Sequence, residues 1–485
     1  MDTRRSLPGA LLSDLSGFVA SRMGLHFPQE RWADLERGVA AAAREFGLPD
    51  AEACARRLLS APLTQTHVEI LAGHLTVGET YFFREKNSLD ALEQHIVPEL
   101  LRSRRDGERR LRIWSAGCCT GEEPYSVVML LDRVIPDPKE WIVTILATDI
   151  NPRFLRKAAR GVYGEWSFRG APEWVKERYF SRRKDGRLEL QPHMRGRVTF
   201  SYLNLAEDVY PSLPNNTNAM DVIFCRNVLM YFTAERAQSV ARNLHRSLVD
   251  GGWLIVSPTE TSNTVFSSFS AIEFPGAVLY RKTARAEPVA FAPRAPVPEA
   301  DALHPRAPVF ASAPVAAESE LPGPPIEAAP DTPAAPEPGT VSPPEKDDAR
   351  VPSVAARNCA DQGRLTEAIE WCEKAIAADK LNPAHHYLLA VIQQEQGQAE
   401  PAVQSLLRAL YLDPAFVLAH FALGNIELSR GRRREARRHF ANALALLRTR
   451  PHDEILAESE GLTAGRLVQI ISAVLSSLPS AAARA

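Results

Sequence analysis

None of the six cysteines, Cys54, Cys118, Cys119, Cys225, Cys359 and Cys372, stands in a C-x-x-C pair or a dense framework. That spacing argues against a disulfide scaffold and a thiolate metal site and fits reduced thiols. No apolar run approaches the ~18 residues of a spanning helix. The residues after Met1 carry no long apolar core or cleavage-like site, so a secretory leader is not expected. The expectation is a soluble, cytoplasmic protein without direct membrane insertion. Charge of one sign is also missing: 57 Lys and Arg against 59 Asp and Glu leave −2. No global field therefore directs the chain to nucleic acid or an anionic membrane. No His or Cys dyad stands out as a catalytic base or nucleophile.

What is present divides the chain. At 485 residues it exceeds one ordinary core and predicts two to four domains. Residues 288 to 352 hold 17 of the 37 prolines, among Ala and Glu. Such a run buries too little to order itself and predicts an extended spacer. The expected division is 1–75 helical, 76–284 catalytic, 285–352 disordered linker and 353–485 helical repeats. A linker of this length predicts a reach of at least roughly 45 Å for what it tethers.

The last segment repeats. Gly363, Gly397 and Gly431 are 34 residues apart, as are Ala368, Ala402 and Ala436, and Ala375, Ala409 and Ala443. Tyr387 and Phe421, then Leu389 and Leu423, keep the step. A 34-residue period with a small residue at the turn and Ala at helix contacts resembles the tetratricopeptide repeat, an all-α surface for protein partners. Asn382-Pro383 and Asp413-Pro414 are 31 apart, which predicts three extra residues near Ala377–Lys380. The amphipathic run from Leu462 to Leu478 is the expected capping helix.

Residues up to about Gly73 carry Leu, Val and Ala at helical spacing, with Arg31, Arg37, Arg44, Arg56 and Arg57 on polar faces. Those arginines read either as a solvated face or as a surface for an acidic helix. From Leu111, strand candidates (Leu111–Ser115, Ile142–Ala147, Val198–Leu203, Asp221–Phe224, Trp253–Val256, Ala277–Tyr280) alternate with helical patterns. That rhythm predicts an α/β, doubly wound, mostly parallel sheet. An Asp185-Gly186 turn between extended residues predicts a small β-hairpin insertion.

The first strand breaks into Gly117-Cys118-Cys119-Thr120-Gly121-Glu122-Glu123. A strand ending in a glycine turn before a helix offers free N–H groups at the carboxyl edge of the sheet, where such folds hold nucleotide-like ligands. This turn has no lysine, and its acids repel phosphate and welcome an amine or cation, so a sulfonium cofactor with an α-amino group fits better than ATP or NAD. Asp149, Asn204 and Asn227 end the next strands. Asp149 is placed either for ribose hydroxyls or as a helix cap.

Five segments, Leu75 to Glu85, Trp114 to Ser126, Ala147 to Ile150, Tyr202 to Leu205 and Phe224 to Phe232, stand in the order typical of CheR-type chemotaxis methyltransferases. The chain resembles that family over about residues 10 to 282. The resemblance implies S-adenosyl-L-methionine as cofactor and S-adenosyl-L-homocysteine as product. It implies glutamate side chains of methyl-accepting chemoreceptor cytoplasmic domains as acceptors, giving γ-methyl esters. Carried to matching positions, Thr80, Arg84 and Glu122 would hold the methionine end, Asp149 the ribose, and Asn204, Leu205, Asn227 and Val228 the adenine side. Tyr231 would face the methyl as the catalytic residue. Arg84 reads otherwise as a surface ion pair, and Tyr231 as core. Rival readings are a cofactor-sensing scaffold and a methyltransferase for a soluble acceptor. The chain departs from the family at Gly78, where Asn is frequent, at Ser257-Pro258-Thr259-Glu260, where Gly-His-Ser-Glu is usual, and in extra residues from Tyr210 to Ala219. These departures bear on the pocket rim and acceptor preference more than on cofactor binding.

Overall fold

The computed structural model describes residues 6–105, 107–283, 350–452, 454–459 and 462–477. The proline-rich stretch expected to be a disordered spacer lies almost wholly outside them.

Four helices open the fold: α1 (Gly9–Met23), α2 (Trp32–Glu45), α3 (Ala51–Ser60) and α4 (Gln65–Leu75). Two of their starts, those of α3 and α4, are written locally. The Asp50 side chain accepts from the Ala53 N–H and that of Thr64 from the His67 N–H, satisfying donors a helix leaves open. Leu15, Val19, Leu35, Val39 and Leu71 form their core.

A seven-stranded sheet follows. Its strands are β1 (Arg110–Ala116), β2 (Ile142–Asp149), β6 (Val198–Tyr202), β7 (Met220–Phe224), β8 (Leu248–Ile255), β9 (Ser270–Phe274) and β10 (Ala277–Arg281). The spatial order is β6-β2-β1-β7-β8-β10-β9. The first five are parallel, and β10 runs antiparallel between β8 and β9. Alternate residues of β1 feed opposite faces: Leu111 and Ile113 enter one apolar cluster, Trp114 and Ala116 the other. Both faces are covered, as a parallel sheet requires. Chain order reverses between β1 and β7, so their carboxyl ends flank the crevice where such sheets bind ligands.

The expected hairpin is present as β4 (Phe180–Arg182) and β5 (Leu188–Leu190). A third strand, β3 (Val162–Tyr163), pairs on the other edge of β5 and completes a small antiparallel sheet.

Six helices, Arg350–Asp361, Leu365–Ala378, Pro383–Glu395, Ala399–Leu412, Val417–Ser429 and Arg433–Leu447, form three pairs, and Ala464–Ser477 follows them. The three extra residues expected near Ala377–Lys380 are not there. Leu365, Ala399 and Arg433 start second helices 34 residues apart, and Pro383 and Val417 start first helices at the same step. The two prolines hold different places: Pro383 is the first residue of a helix, whereas Pro414 lies in the preceding turn. Gly363, Gly397 and Gly431 sit at φ of +75°, +79° and +75°, which only glycine adopts without strain.

Candidate functional site

Four parallel strands end at one cleft, and the loop between α4 and the sheet closes it. The lining includes Thr80, Arg84, Asp149, Asn204, Leu205, Asn227, Val228 and Tyr231. Eight of the nine residues singled out in the sequence therefore meet in one place. Glu122 does not.

The helix Glu122–Val134 begins at Gly121, and its phase separates the two acids. Glu122 is buried on the side away from the cleft, taking the Thr120 hydroxyl at 2.6 Å and the Ser167 hydroxyl at 3.0 Å. Glu123 lines the cleft instead. Its Oε1 accepts from Ser115 at 2.7 Å and its Oε2 lies 3.2 Å from the Arg226 guanidinium. Burial pushes the Glu123 carboxyl above its ordinary range, and Arg226 opposes that shift.

Arg226 lies within the Phe224 to Phe232 segment, and the resemblance implies no role for it. Its side chain is 3% exposed. It reaches Glu85 at 2.9 Å, the Arg84 carbonyl at 2.5 Å and Glu123, tying three segments together. Arg84 is freer: its Nη1 donates to the Glu79 carbonyl at 2.6 Å, and its Nε stands 3.9 Å from Glu85. Both readings of Arg84 thus have a place, since it lines the cleft beside an acid.

The glycine turn is shaped by Asp149. One carboxylate oxygen accepts the Cys119 N–H and the other the Asn151 N–H, both at 2.8 Å. Burial raises its pKa to about 6 against those bonds. Asp149 lines the cleft while bracing the turn. Gly117 lies at φ +87°, and a β-carbon there would meet Val228 Cγ2 at 2.4 Å, so the turn and the loop after β7 close on each other only with glycine.

That second loop hangs on Glu260. Its carboxylate accepts the N–H groups of Asn227, Val228 and Met230 at 2.6, 2.7 and 3.2 Å, together with the Ser257 hydroxyl at 2.7 Å. Asn204 also works through the backbone. Its amide donates to the Arg22 carbonyl at 2.8 Å and accepts the Ala206 N–H at 3.1 Å, fixing Leu205 and joining the N-terminal helices to the sheet. Tyr231 lies under those helices: its carbonyl accepts the His26 N–H at 2.7 Å, and the Arg31 guanidinium is 5.9 Å from its ring centre.

Phe83, Glu85, Cys119 and Asn227 take positive φ although none is glycine. All four are in loops around this cleft, where stored backbone strain marks a functional site. The sequence also gave no warning of Phe154, which lines the cleft with its ring 2.8 Å from where a Gly78 β-carbon would stand.

Comparison with known proteins agrees with this geometry. A family model described as CheR methyltransferase, SAM binding domain, matches residues 78–277, and a tetratricopeptide repeat model matches 386–416. Chemotaxis protein methyltransferase 1 of Pseudomonas aeruginosa is 35% identical over 217 residues, 44% of this chain and 77% of that protein. Chemotaxis protein methyltransferase 2 of Vibrio cholerae is 36% identical over 208 residues, 43% of this chain and 70% of that protein. The probable biofilm formation methyltransferase WspC of P. aeruginosa is 33% identical over 411 residues, 83% of this chain and 92% of that protein. The cleft suits S-adenosylmethionine chemically. Asp149 presents a carboxylate for hydroxyls, Glu123 an acid for an ammonium or sulfonium charge, and Leu203, Leu205 and Val228 an apolar wall for a base. A Gly117 turn with an acidic wall, at the switch point of a doubly wound sheet and beside three tetratricopeptide-like helix pairs, makes this chain a member of the CheR family of S-adenosylmethionine-dependent chemotaxis methyltransferases.

Proposed function

We propose that the protein methylates glutamate side chains on the cytoplasmic domains of methyl-accepting chemoreceptors, producing γ-methyl esters. The convergence of Asp149, Asn227, Val228, Arg84 and Tyr231 on one cleft carries the reading. S-adenosylmethionine, when bound, supplies an electrophilic methyl group.

The chain's own residues then have a limited task. A glutamate acceptor has a reference pKa of roughly 4.3 and is ionised at neutral pH, so no base is needed to activate it. Alignment and exclusion of water remain. Asp149 holds the ribose side, Asn227 and Val228 the adenine side, and Thr80, Arg84 and Glu123 the methionine end. Met23 and Leu75, the last residues of α1 and α4, and Leu25 and Phe27, in the segment between α1 and α2, cover the cleft with apolar surface. Tyr231 stands where those helices meet the loop after β7, beside Arg31, whose cation favours an anionic acceptor. The repeats supply a surface for a protein partner.

Methyl-labelled cofactor with receptor-bearing membranes tests the proposal. Base-labile release of labelled methanol from the receptor band is the expected result. Label confined to a soluble protein would redirect the acceptor, and cofactor binding without any labelled protein would leave a sensing scaffold.

A further inference from the structure

The extra residues from Tyr210 to Ala219 do not line the cleft; beyond Tyr210, whose hydroxyl donates to the Leu205 carbonyl at 2.9 Å, they form a built loop at the opposite, amino-terminal edge of the sheet. Ser212 and Thr217 close it, with the Ser212 N–H on the Thr217 hydroxyl and the Thr217 N–H on the Ser212 carbonyl, both at 3.0 Å. Asn216 and Ala219 sit at φ of 57° and 46°, conformations a non-glycine residue holds only when its surroundings impose them.

The surroundings are the repeats. Leu213, 5% exposed, packs among Ala356, Cys359, Leu365 and Leu388 of the first two helix pairs. Asn218 is fully buried, and its amide donates to Glu395 at 3.3 Å and the Ala360 carbonyl at 3.5 Å. Glu395 ends a repeat helix with its side chain 7% exposed, 3.7 Å from Arg112 and 4.0 Å from Arg110 at the start of β1. Arg112 is held in place by the Asn216 side chain at 2.6 Å and the Asn218 carbonyl at 3.1 Å.

The turn glycines sort themselves in the same way. A β-carbon at Gly397 would strike Ile142 at 2.6 Å, and one at Gly363 would crowd Val249 at 3.2 Å, whereas one at Gly431 would meet none of the described residues within 4 Å. The first two turns thus abut the starts of β2 and β8, and the third faces away from them.

We propose that the Tyr210–Ala219 loop is a dock for this chain's own repeat module. Leu213 is its apolar peg, and Glu395 is the charge it reads through Arg110 and Arg112. The repeats then travel as a fixed arm on the catalytic domain, and a partner they hold is presented at a set distance from the methyl-transfer cleft. The reach allowed by the linker is not used while the dock is closed. Glu395 matters more for specificity than for strength. Its ion pairs are long, and a buried pair of this kind contributes little net attraction, while the wrong charge in its place is strongly opposed.

The test uses the full chain. Small-angle scattering and calorimetry of the native protein are expected to give one compact body with a single cooperative transition. Leu213→Asp on the loop and Glu395→Arg on the repeats each raise the radius of gyration by roughly 5 Å or more and split the transition in two. Cofactor affinity stays within about twofold of native, because the cleft lies at the other sheet edge; should Leu213→Asp also disturb the catalytic fold, Glu395→Arg decides alone. Native scattering that requires two independently moving bodies overturns the dock, as does unchanged scattering in Glu395→Arg.

Discussion

Glu260 holds Asn227 in a left-handed conformation: its Oε2 accepts the Asn227 N–H at 2.6 Å while Asn227 sits at φ 57°. Of the usual Gly-His-Ser-Glu only this acid remains, and the acid is the group the loop needs. Ser257 adds to it, since its hydroxyl and the Glu260 carboxylate form a reciprocal cap.

Glu260→Gln exchanges one acceptor oxygen for an NH2 that faces N–H donors. Each lost bond to a charged acceptor is worth about 1.5–3 kcal/mol. Cofactor affinity measured by calorimetry should fall roughly tenfold or more, with the global fold retained. An unchanged affinity would mean the loop is held by something else.

Arg226→Ala removes the shared partner of Glu85 and Glu123. Stranding partly buried acids costs about 3 kcal/mol, at the low end for broken buried pairs, and the melting temperature should drop by roughly 4 °C. Arg226→Lys keeps the charge without the fork and should fall between. If the alanine variant melts with the native protein, the bridge carries no stability.

Much of this was legible in the chain. Short apolar runs ending in Gly, Asp or Asn located the strand ends, because a parallel sheet buried on both faces leaves no other place for them. The 34-residue step located the helix pairs. Other features depended on geometry no pattern carries. Glu122 and Glu123 are adjacent, and only the phase of their helix decides which enters the cleft. Ser270–Phe274 begins with Ser and has Glu273 between Ile272 and Phe274, and as an edge strand it lacks the continuous apolar run that marks the central strands. Pro383 and Pro414 looked equivalent because proline suits both a first helical position and the turn before it. The docking loop read as a mere insertion, since its partner lies more than a hundred residues away.

Asp149 predicts a pH dependence. Its carboxyl titrates near 3.8 when free and about 6 in the fold. A folded value above the unfolded one means that the native protein binds the proton more tightly. This group's contribution to stability is therefore full below pH 3.8 and is lost as pH climbs through 6. The proposed ribose contact needs the opposite form, because the ionised carboxylate would accept both ribose hydroxyls. Affinity should rise from pH 5 to 7 and then level off. Asp149→Asn should bind weakly and with no such rise; a flat native profile in calorimetry would contradict the assignment.

Gly78 and Phe154 share one volume. The family frequently places Asn at this position, yet here a β-carbon would lie 2.8 Å from the Phe154 ring, so the amide and the aromatic exclude each other. The rim of this cleft is thus apolar where an amide is usual. Gly78→Asn alone should lower cofactor affinity roughly tenfold, a cost of about 1.4 kcal/mol. Phe154→Ala alone opens the wall and should weaken binding as well. Together they should bind better than the sum of the two losses allows, with a coupling of about 1 kcal/mol or more in a double-mutant cycle. Additive losses would show that the ring yields to the new side chain at no cost, and that the exchange of amide for aromatic has no bearing on the cofactor.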